Sequence, residues 1–488
     1  MMGAITGAEY KKRIDELQNE VWIEGEKVQG DISKHPAFKG VMESQAKLYD
    51  IQHDKNLRDI MTYLSPTSNG RVGTSFLLPR TKKDIKKRRH MFQQWARTNA
   101  GMMGRSPDYM NTVLVSLVVS QHIFEKYENC FPENVAAFYE KAVENDLSFT
   151  HTFIDPQVNR SPYQLFEETD EIIAAKIKEK TKDGLIIKGA KLLATQGGIT
   201  DEILVYSKPG VLDKSYAYSF SIPSNTKGLR FICRQSFRSS DSTFNSPLGS
   251  RFEECDALVV FDDVLVPWER VFYYENIKVT DTLSVQGAFA PLALHQVVSR
   301  QVVKTEFILG VAQLLVDTIN SGQYQHVQEK IAEIIVALET MKAFLIASEE
   351  GATKKHGFML PALYPLYAAI NTFPRIYPRL TEILQLLGAS GLVSIPTEKD
   401  FESDIHEDLY QYLQSKTKDA KERVQLFRLA WDCCMSTFGT RQTLYERYFF
   451  GDPIRLSSML YQAYDRRKMT EWVEKDFLSN SSKNDEKR

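Results

Sequence analysis

Three regimes of hydrophobic patterning follow one another along the chain. From residue 1 to about 145, apolar positions recur at helical spacing. Residues 80–100 are charged and rich in helix formers, and residues 109–126 carry Val113, Leu114, Leu117, Val118 and Ile123. A turn-rich break at residues 65–73 interrupts this region. From about 146 to 280 the pattern changes to strands. Residues 185–195 read as a strand, a bend and another strand; residues 203–206, 216–222, 229–233 and 257–261 follow, separated by Gly, Pro, Asn and Asp. Short strands with close-set turn signals predict a β-sandwich or barrel, not a doubly wound sheet. From about 281 onward the helical period returns. Val303, Phe307, Val311, Leu314 and Leu315 share one helix face, as do Ile331, Ile334, Ile335, Leu338 and Met341. Residues 383–392 are apolar nearly all round and predict a buried helix end. Helices of this kind are the material of a bundle. Residues 478–488 are polar and charged, and predict a disordered tail. The expected domains are an N-terminal helical domain (1–145), a middle β-domain (146–280) and a C-terminal helical bundle (281–488), in the α+β class.

Composition narrows the function classes. A chain of 488 residues exceeds what one core usually supports. Hydrophobic content of 43% and charged content of 25% are ordinary for a globular protein. A formal net charge of -2 gives no global field that would draw nucleic acid. The basic run at residues 82–90 is local, and a solvated helix face accounts for it. No stretch reaches the ~18–20 apolar residues of a membrane span, and the N-terminus lacks the basic-then-apolar pattern of a secretion signal. The five cysteines, Cys130, Cys233, Cys255, Cys433 and Cys434, are an odd, sparse set. They predict a reducing, cytoplasmic setting without a disulfide scaffold. The adjacent pair Cys433 and Cys434 reads as core packing. No Cys-x-x-Cys pair is present, so a zinc ribbon is excluded and no metal site is expected.

The candidate chemistry sits in two segments. Gly101-Met102-Met103-Gly104-Arg105-Ser106-Pro107-Asp108-Tyr109 supplies an arginine and a phenol, and His151 opens the second segment, residues 151–160. Arg, Tyr and His can converge on one phenolic oxygen. If Pro107 opens a helix, Tyr109 lies in its first turn and Arg105 just before it, so both can face one pocket. Pro156 and Pro162 keep the second segment extended, which predicts a loop position for His151 at the edge of the β-domain. On spacing alone, a capping Arg, a half-buried Tyr and a satisfied loop His remain the other reading. Gln157, Asn159 and Arg160 suit a polar, phosphate-bearing cofactor, while no phosphate-loop or GxGxxG fingerprint is present.

These segments resemble motifs of the oxygenase component of two-component flavin monooxygenases, the 4-hydroxyphenylacetate 3-monooxygenase family. Residues 101–109 resemble its phenol-binding motif and residues 151–160 its flavin and substrate motif. Leu193-Ala194-Thr195 is similar to the next flavin contact, and residues 438–442 with 445–453 resemble the segment that closes over the cofactor. The order of helices, β-domain and bundle is also that of acyl-CoA dehydrogenases. Residues 262–272 resemble the segment that leaves the β-domain there; a last strand, Pro267 as a stop and a return into helix explain that stretch.

The resemblance implies an acyl-CoA dehydrogenase-like fold, a homotetramer, and reduced FAD as a diffusible cosubstrate supplied by a separate NAD(P)H-dependent flavin reductase. The implied reaction uses O2 to hydroxylate a small phenol, 4-hydroxyphenylacetate, ortho to its hydroxyl, giving a catechol. It implies catalytic and phenol-binding roles for Arg105, Tyr109 and His151 as a unit. Cofactor contacts are implied at His151, Thr152, Phe153, Gln157, Val158, Asn159, Arg160 and Thr195, and in the closing segment at Phe450, Gly451, Asp452 and Pro453. Substrate contacts are implied at Ser207 and Lys208, where the motif match is poor; the family substrate's carboxylate gives Lys208 its interest. By its chemistry, His151 can take or share the phenol proton, and Arg105 can stabilise the phenolate.

Four other readings stand beside this one. A hydroxylase of another phenol or chlorophenol would share the same trio. 4-Hydroxybutyryl-CoA dehydratase needs cysteine ligands for an iron–sulfur cluster, and this chain has no Cys before Cys130, while seven residues beyond His295 stands Val302. An acyl-CoA dehydrogenase needs a Glu base and a CoA cleft, for which the sequence gives no positive sign. A non-catalytic helical scaffold would have no use for the trio.

Overall fold

The computed structural model describes residues 3–158 and 172–478. The N-terminal region contains α1 (Gly7–Leu17), β1 (Val21–Ile23), β2 (Glu26–Lys27), α2 (Pro36–Asp50), α3 (Arg58–Met61), β3 (Thr62–Leu64), β4 (Arg71–Gly73), α4 (Lys82–Thr98), α5 (Pro107–Val119), α6 (Gln121–Phe124) and α7 (Pro132–Asn145). Local chemistry sets these boundaries. Capping boxes formed by Thr6 with Glu9 and by Thr81 with Asp84 start α1 and α4. Pro107 opens α5, as its position predicts. The basic run belongs to α4, where Lys86 and Arg89 pair with Glu350 and Glu349.

The middle region carries β5 (Phe149–Thr152), β6 (Lys176–Lys180), β7 (Gly184–Thr195), β8 (Glu202–Tyr206), β9 (Tyr218–Pro223), β10 (Leu229–Cys233), α8 (Gly249–Phe252), β11 (Asp256–Pro267) and β12 (Val271–Tyr274). They form a six-stranded sheet, β2-β1-β10-β11-β7-β6, and a four-stranded sheet, β12-β9-β8-β5. The two sheets meet through buried side chains, with the Phe220 and Phe261 rings edge-on at 6.4 Å. The expected bend in residues 185–195 is one long strand turned at Gly189, with φ +114°, where a Cβ would stand 2.6 Å from the Ala174 carbonyl oxygen.

The N-terminal region is mostly helical and also supplies β1, which pairs in parallel with β10, Val21 opposite Phe231. Two sequence expectations differ from the structure. Pro267 does not return the chain to helix. A single 3-10 turn, Trp268–Arg270, leads into β12, because the β-branched and aromatic run Val271-Phe272-Tyr273-Tyr274 adds a further strand. His151 is not in a loop; it lies in β5, which pairs in parallel with β8.

The C-terminal region holds α9 (Ile277–Gln286), α10 (Phe289–Thr318), α11 (Gln325–Glu350), the hairpin β13 (Thr353–Lys355) and β14 (Phe358–Leu360), α12 (Leu363–Gly388), α13 (His406–Tyr412), α14 (Ala420–Cys434), α15 (Thr437–Tyr448), α16 (Pro453–Ala463) and α17 (Arg467–Val473). The 30-residue α10 is buried over most of its length between α4, α5, α11 and α12, so it ties the bundle to the N-terminal helices. The predicted all-apolar helix end is one-sided: Ile383, Leu384 and Leu387 are buried while Leu386 is exposed. Cys433 and Cys434 are buried in α14. No described helix is long and apolar enough to cross a membrane. Most of the expected tail, residues 479–488, lies outside the described residues.

Candidate active site

Helix α5, the loop before it and strand β5 bring Arg105, Tyr109 and His151 together. The Tyr109 and His151 rings stand edge-on, with centroids 5.8 Å apart. The Arg105 guanidinium carbon lies 4.2 Å from the centroid of the Tyr109 ring and 4.2 Å from that of Phe449, which follows α15. Such contacts hold a cation without neutralising it. Burial draws the Arg105 pKa down, and the Tyr445, Tyr109 and Glu254 side chains more than offset this, so the guanidinium stays charged. Arg105 Nε is buried and has no hydrogen-bond partner among the described residues. Burial first, and then the Arg105 charge, push the His151 pKa well below its ordinary value, so its imidazole is neutral near pH 7. Burial raises the Tyr109 pKa, and its phenol stays protonated.

A buried carboxylate sets the position of Arg105. Glu254 accepts from the backbone N–H groups of Gly104 and Arg105, both at 2.8 Å, and from Gln196 Nε2 at 2.9 Å. Arg441 lies 3.8 Å away on its other side. Gly104 must be glycine, since a Cβ there would fall 2.3 Å from the Tyr445 ring. Next to Glu254, Asp256 accepts from Thr195 Oγ1 at 2.7 Å and from Arg441 Nη2 at 2.9 and 3.0 Å. Behind this wall, Glu446 of α15 binds Arg300 and Lys304 of α10, and Arg300 Nη1 donates to the Gly101 carbonyl at 2.7 Å.

The other expected residues fall as follows. Thr152 Oγ1 donates to the Leu192 carbonyl and Thr150 Oγ1 to that of Thr195, so β5 lies along β7 with Thr152 beside Leu192 and Thr150 beside Thr195. The Phe153 ring stacks on Tyr206 at 5.1 Å and 7°. Gln157 and Val158 are exposed, whereas Asn159 and Arg160 lie outside the described residues. Ser207 is buried, with its Oγ turned to the backbone of Tyr216 and Tyr218. Lys208 is 54% exposed and pairs with Asp155 at 3.2 Å; Asp155 also holds buried Lys191 at 2.7 Å. Phe450, Gly451 and Asp452 form the turn after α15, and Pro453 opens α16. The Phe450 ring meets Phe449 at 5.5 Å and Phe289 at 6.2 Å, and Asp452 caps α16.

Sequence reasoning did not reach Tyr206, whose hydroxyl lies 2.9 Å from His151 Nδ1, nor Glu254; Tyr445 and Phe449 lie in the closing segment it named, but their place around Arg105 was not foreseen. One signal was present for Glu254. The acidic run Glu253-Glu254-Cys255-Asp256 leads straight into the apolar run of residues 257–261, which is an expensive place for charge without partners.

Comparison with known proteins decides the family. A profile described as 4-hydroxyphenylacetate 3-hydroxylase N terminal matches residues 6–273, and its C-terminal counterpart matches residues 281–477. The chain belongs to the 4-hydroxyphenylacetate 3-hydroxylase family. A probable 4-hydroxyphenylacetate 3-monooxygenase of Bacillus subtilis (strain 168) is 55% identical over 479 residues, covering 98% of this chain and 99% of the relative. The oxygenase component of 4-hydroxyphenylacetate 3-monooxygenase from Geobacillus sp. (strain PA-9) is 46% identical, covering 98% and 97%. A crystal structure of such an oxygenase component, complexed with FAD and 4-hydroxyphenylacetate, superposes with a TM-score of 0.91 at 43% identity, covering 97% of this chain and 98% of the other. An archaeal 4-hydroxybutyryl-CoA dehydratase shares the fold, with a TM-score of 0.87 at 19% identity.

Proposed function

We propose that this chain is the oxygenase component of a two-component monooxygenase that converts 4-hydroxyphenylacetate to its ortho-hydroxylated catechol with reduced FAD and O2. The observation that carries the reading is the convergence of a neutral imidazole, a protonated phenol and a cationic guanidinium with a free Nε on one small space. The residues present suit FAD. Arg441 Nη1 and Tyr445 Oη are buried without hydrogen-bond partners among the described residues. Exposed Leu193 and Val158 offer apolar surface close in sequence to Thr195 and Gln157. Apolar surface and unsatisfied donors are the two features that a flat ring and an anionic pyrophosphate call for. Thr152, Phe153, Gln157, Val158, Asn159, Arg160, Thr195 and the turn at Phe450–Pro453 would hold it.

Reduced FAD, when bound, activates O2 and supplies the oxygen atom; one phenol, one O2 and one reduced FAD give one catechol, one water and one oxidised FAD. The protein's share is position, charge and dryness. Arg105 stabilises negative charge on the phenolic oxygen, which makes the ortho carbon a better nucleophile. Tyr109 and His151 hydrogen-bond the same oxygen. Lys208, at the start of the loop after β8, is the cation available for the substrate carboxylate. The reading includes an NAD(P)H-dependent flavin reductase as partner, a cytoplasmic location in keeping with five free cysteines, and a homotetramer. The exposed apolar residues Ile454, Tyr461, Trp472 and Phe477 along α16, α17 and the turn beyond support self-association.

The test is to supply reduced FAD and air to the purified protein and to measure the catechol formed from 4-hydroxyphenylacetate. FAD binding without hydroxylation of this or any other phenol would overturn the reading. Light scattering checks the oligomer, and a monomer at micromolar concentration would remove that part.

A further inference from the structure

Strand pairing places a second phenol against the catalytic imidazole. His151 of β5 stands opposite Leu204 of β8. Side chains alternate along a strand, so Leu204 and Tyr206 share the face from which His151 projects. The Tyr206 hydroxyl lies 2.9 Å from His151 Nδ1. Its ring is held by stacking on Phe153, and the His151 ring stands edge-on to Phe153, Tyr206 and Tyr109, with centroids 5.5, 5.7 and 5.8 Å away. No described residue hydrogen-bonds His151 Nε2, and Tyr206 Oη has no partner besides Nδ1 among the described residues.

We propose that Tyr206 is a positioning residue that fixes the tautomer of His151: its hydroxyl donates to Nδ1, so Nε2 carries the ring proton and donates to the phenolic oxygen of the substrate. The inference rests on the function proposed above and deepens it. A neutral imidazole has one protonated and one bare nitrogen, and the bare nitrogen is a far more basic acceptor than a phenol oxygen. Between a phenol and an imidazole, the arrangement O–H to N therefore prevails over N–H to O. The charged and titratable groups facing His151 agree with a neutral ring. Arg105, before α5, repels a second proton, while Tyr109 on α5 and Tyr206 on β8 both stay protonated because burial raises their pKa values. The site then presents an N–H and a guanidinium to the substrate oxygen. Both favour the phenolate, and the phenolic proton leaves to water on binding instead of resting on the imidazole.

Two measurements test this. Nitrogen NMR of the wild-type protein with 15N-labelled histidine reads the tautomer directly, and needs neither turnover nor a variant. Nδ1 should appear as the bare nitrogen and Nε2 as the protonated one; the reverse assignment overturns the proposal. Tyr206→Phe keeps the ring on Phe153 and removes only the hydroxyl. The Nδ1–H form then becomes accessible and turns a lone pair towards the phenolate. The ratio of catechol to hydrogen peroxide should rise with pH in both proteins, with the midpoint about one pH unit higher in Tyr206→Phe. A uniform loss of rate with an unmoved midpoint would mean a merely structural tyrosine and would sink the proposal. If the wild type makes no catechol at any pH, the proposed function fails, and the nitrogen assignment still decides the role of Tyr206.

Discussion

Replacing Glu446 by Gln should destabilise the protein strongly, and in a way that depends on pH. The Glu446 carboxylate is fully buried and accepts from Arg300 Nη1 at 2.6 Å, Arg300 Nη2 at 3.0 Å, Lys304 Nζ at 2.8 Å and Gln301 Nε2 at 3.3 Å. Burial pushes its carboxyl pKa up, and the Arg300 and Lys304 charges more than reverse this, holding it at about 2. Burial already lowers the Lys304 pKa to about 8 despite this partner. Glu446→Gln leaves two buried cations against an amide. Breaking a buried pair from one side costs about 3–5 kcal/mol. For a chain of this length unfolding as one unit, the unfolding entropy is roughly 1 kcal/mol per kelvin, so the midpoint should fall by about 3–5 °C.

The sign of the pH effect follows from Lys304, because Arg300 cannot deprotonate. In the unfolded chain the lysine titrates near its ordinary ~10.4. Its folded value, depressed further without Glu446, makes the unfolded state bind more protons, so stability rises with pH across that window. The variant's window opens below 8, whereas that of the wild type opens near 8. The deficit should therefore be largest near pH 6 and shrink towards pH 9. Denaturant titrations at pH 6, 7, 8 and 9 provide the assay. A deficit under ~1 kcal/mol, or one constant across that range, would refute the reasoning.

The remaining predictions concern the site. His151→Ala should keep FAD binding but lower phenol hydroxylation by about 10²-fold or more, with hydrogen peroxide formed in place of catechol; unchanged coupling would remove His151 from the chemistry. Arg105→Ala and Tyr109→Phe should each impair hydroxylation, and combined with His151→Ala their losses should fall short of the sum, as a double-mutant comparison of catechol yield will show. The depressed His151 pKa means that the contribution of His151 to wild-type stability is full above about 6.5 and declines as pH falls below it, by up to ~1.4 kcal/mol per unit until the folded pKa is reached; denaturation at several pH values should show His151→Gln losing less over that range. Lys208→Ala should raise KM for a phenol bearing a carboxylate by up to about fivefold, the scale of a half-exposed ion pair, and leave KM for phenol itself unchanged.

How far the sequence carried depends on how local each signal is. Pro107 sits beside the residues it positions, so the placing of Tyr109 in a first turn could be read directly. Pro156 and Pro162 signal a loop near His151, while the strand it occupies, Phe149-Thr150-His151-Thr152, is too short to show alternation and is buried on both faces. Its pairing partner lies in β8, beyond the reach of any short window. The same distance hid Tyr206, 55 residues from His151, and Glu254, 149 residues from Arg105. Contacts made across such gaps depend on how the sheets assemble, which periodicity does not encode. The bundle was legible because apolar residues recur at helical spacing through α10 and α11, although Leu314 and Ile335, read as part of their apolar faces, are exposed.

The parallel pairing of β1 with β10 bears on how the protein is made. Val21 and Ile23 are buried only once residues 231–233 lie beside them, about 210 residues further along the chain. At ~5–20 residues per second, a ribosome takes roughly 10–40 s to produce that partner. Throughout that interval β1 has only β2 on one side, and its other edge is apolar and unpaired, open to chaperones or to the same strand of a neighbouring nascent chain. Its docking brings together two strands that lie far apart along the chain, the kind of long-range pairing whose loop-closure entropy makes it slow to form.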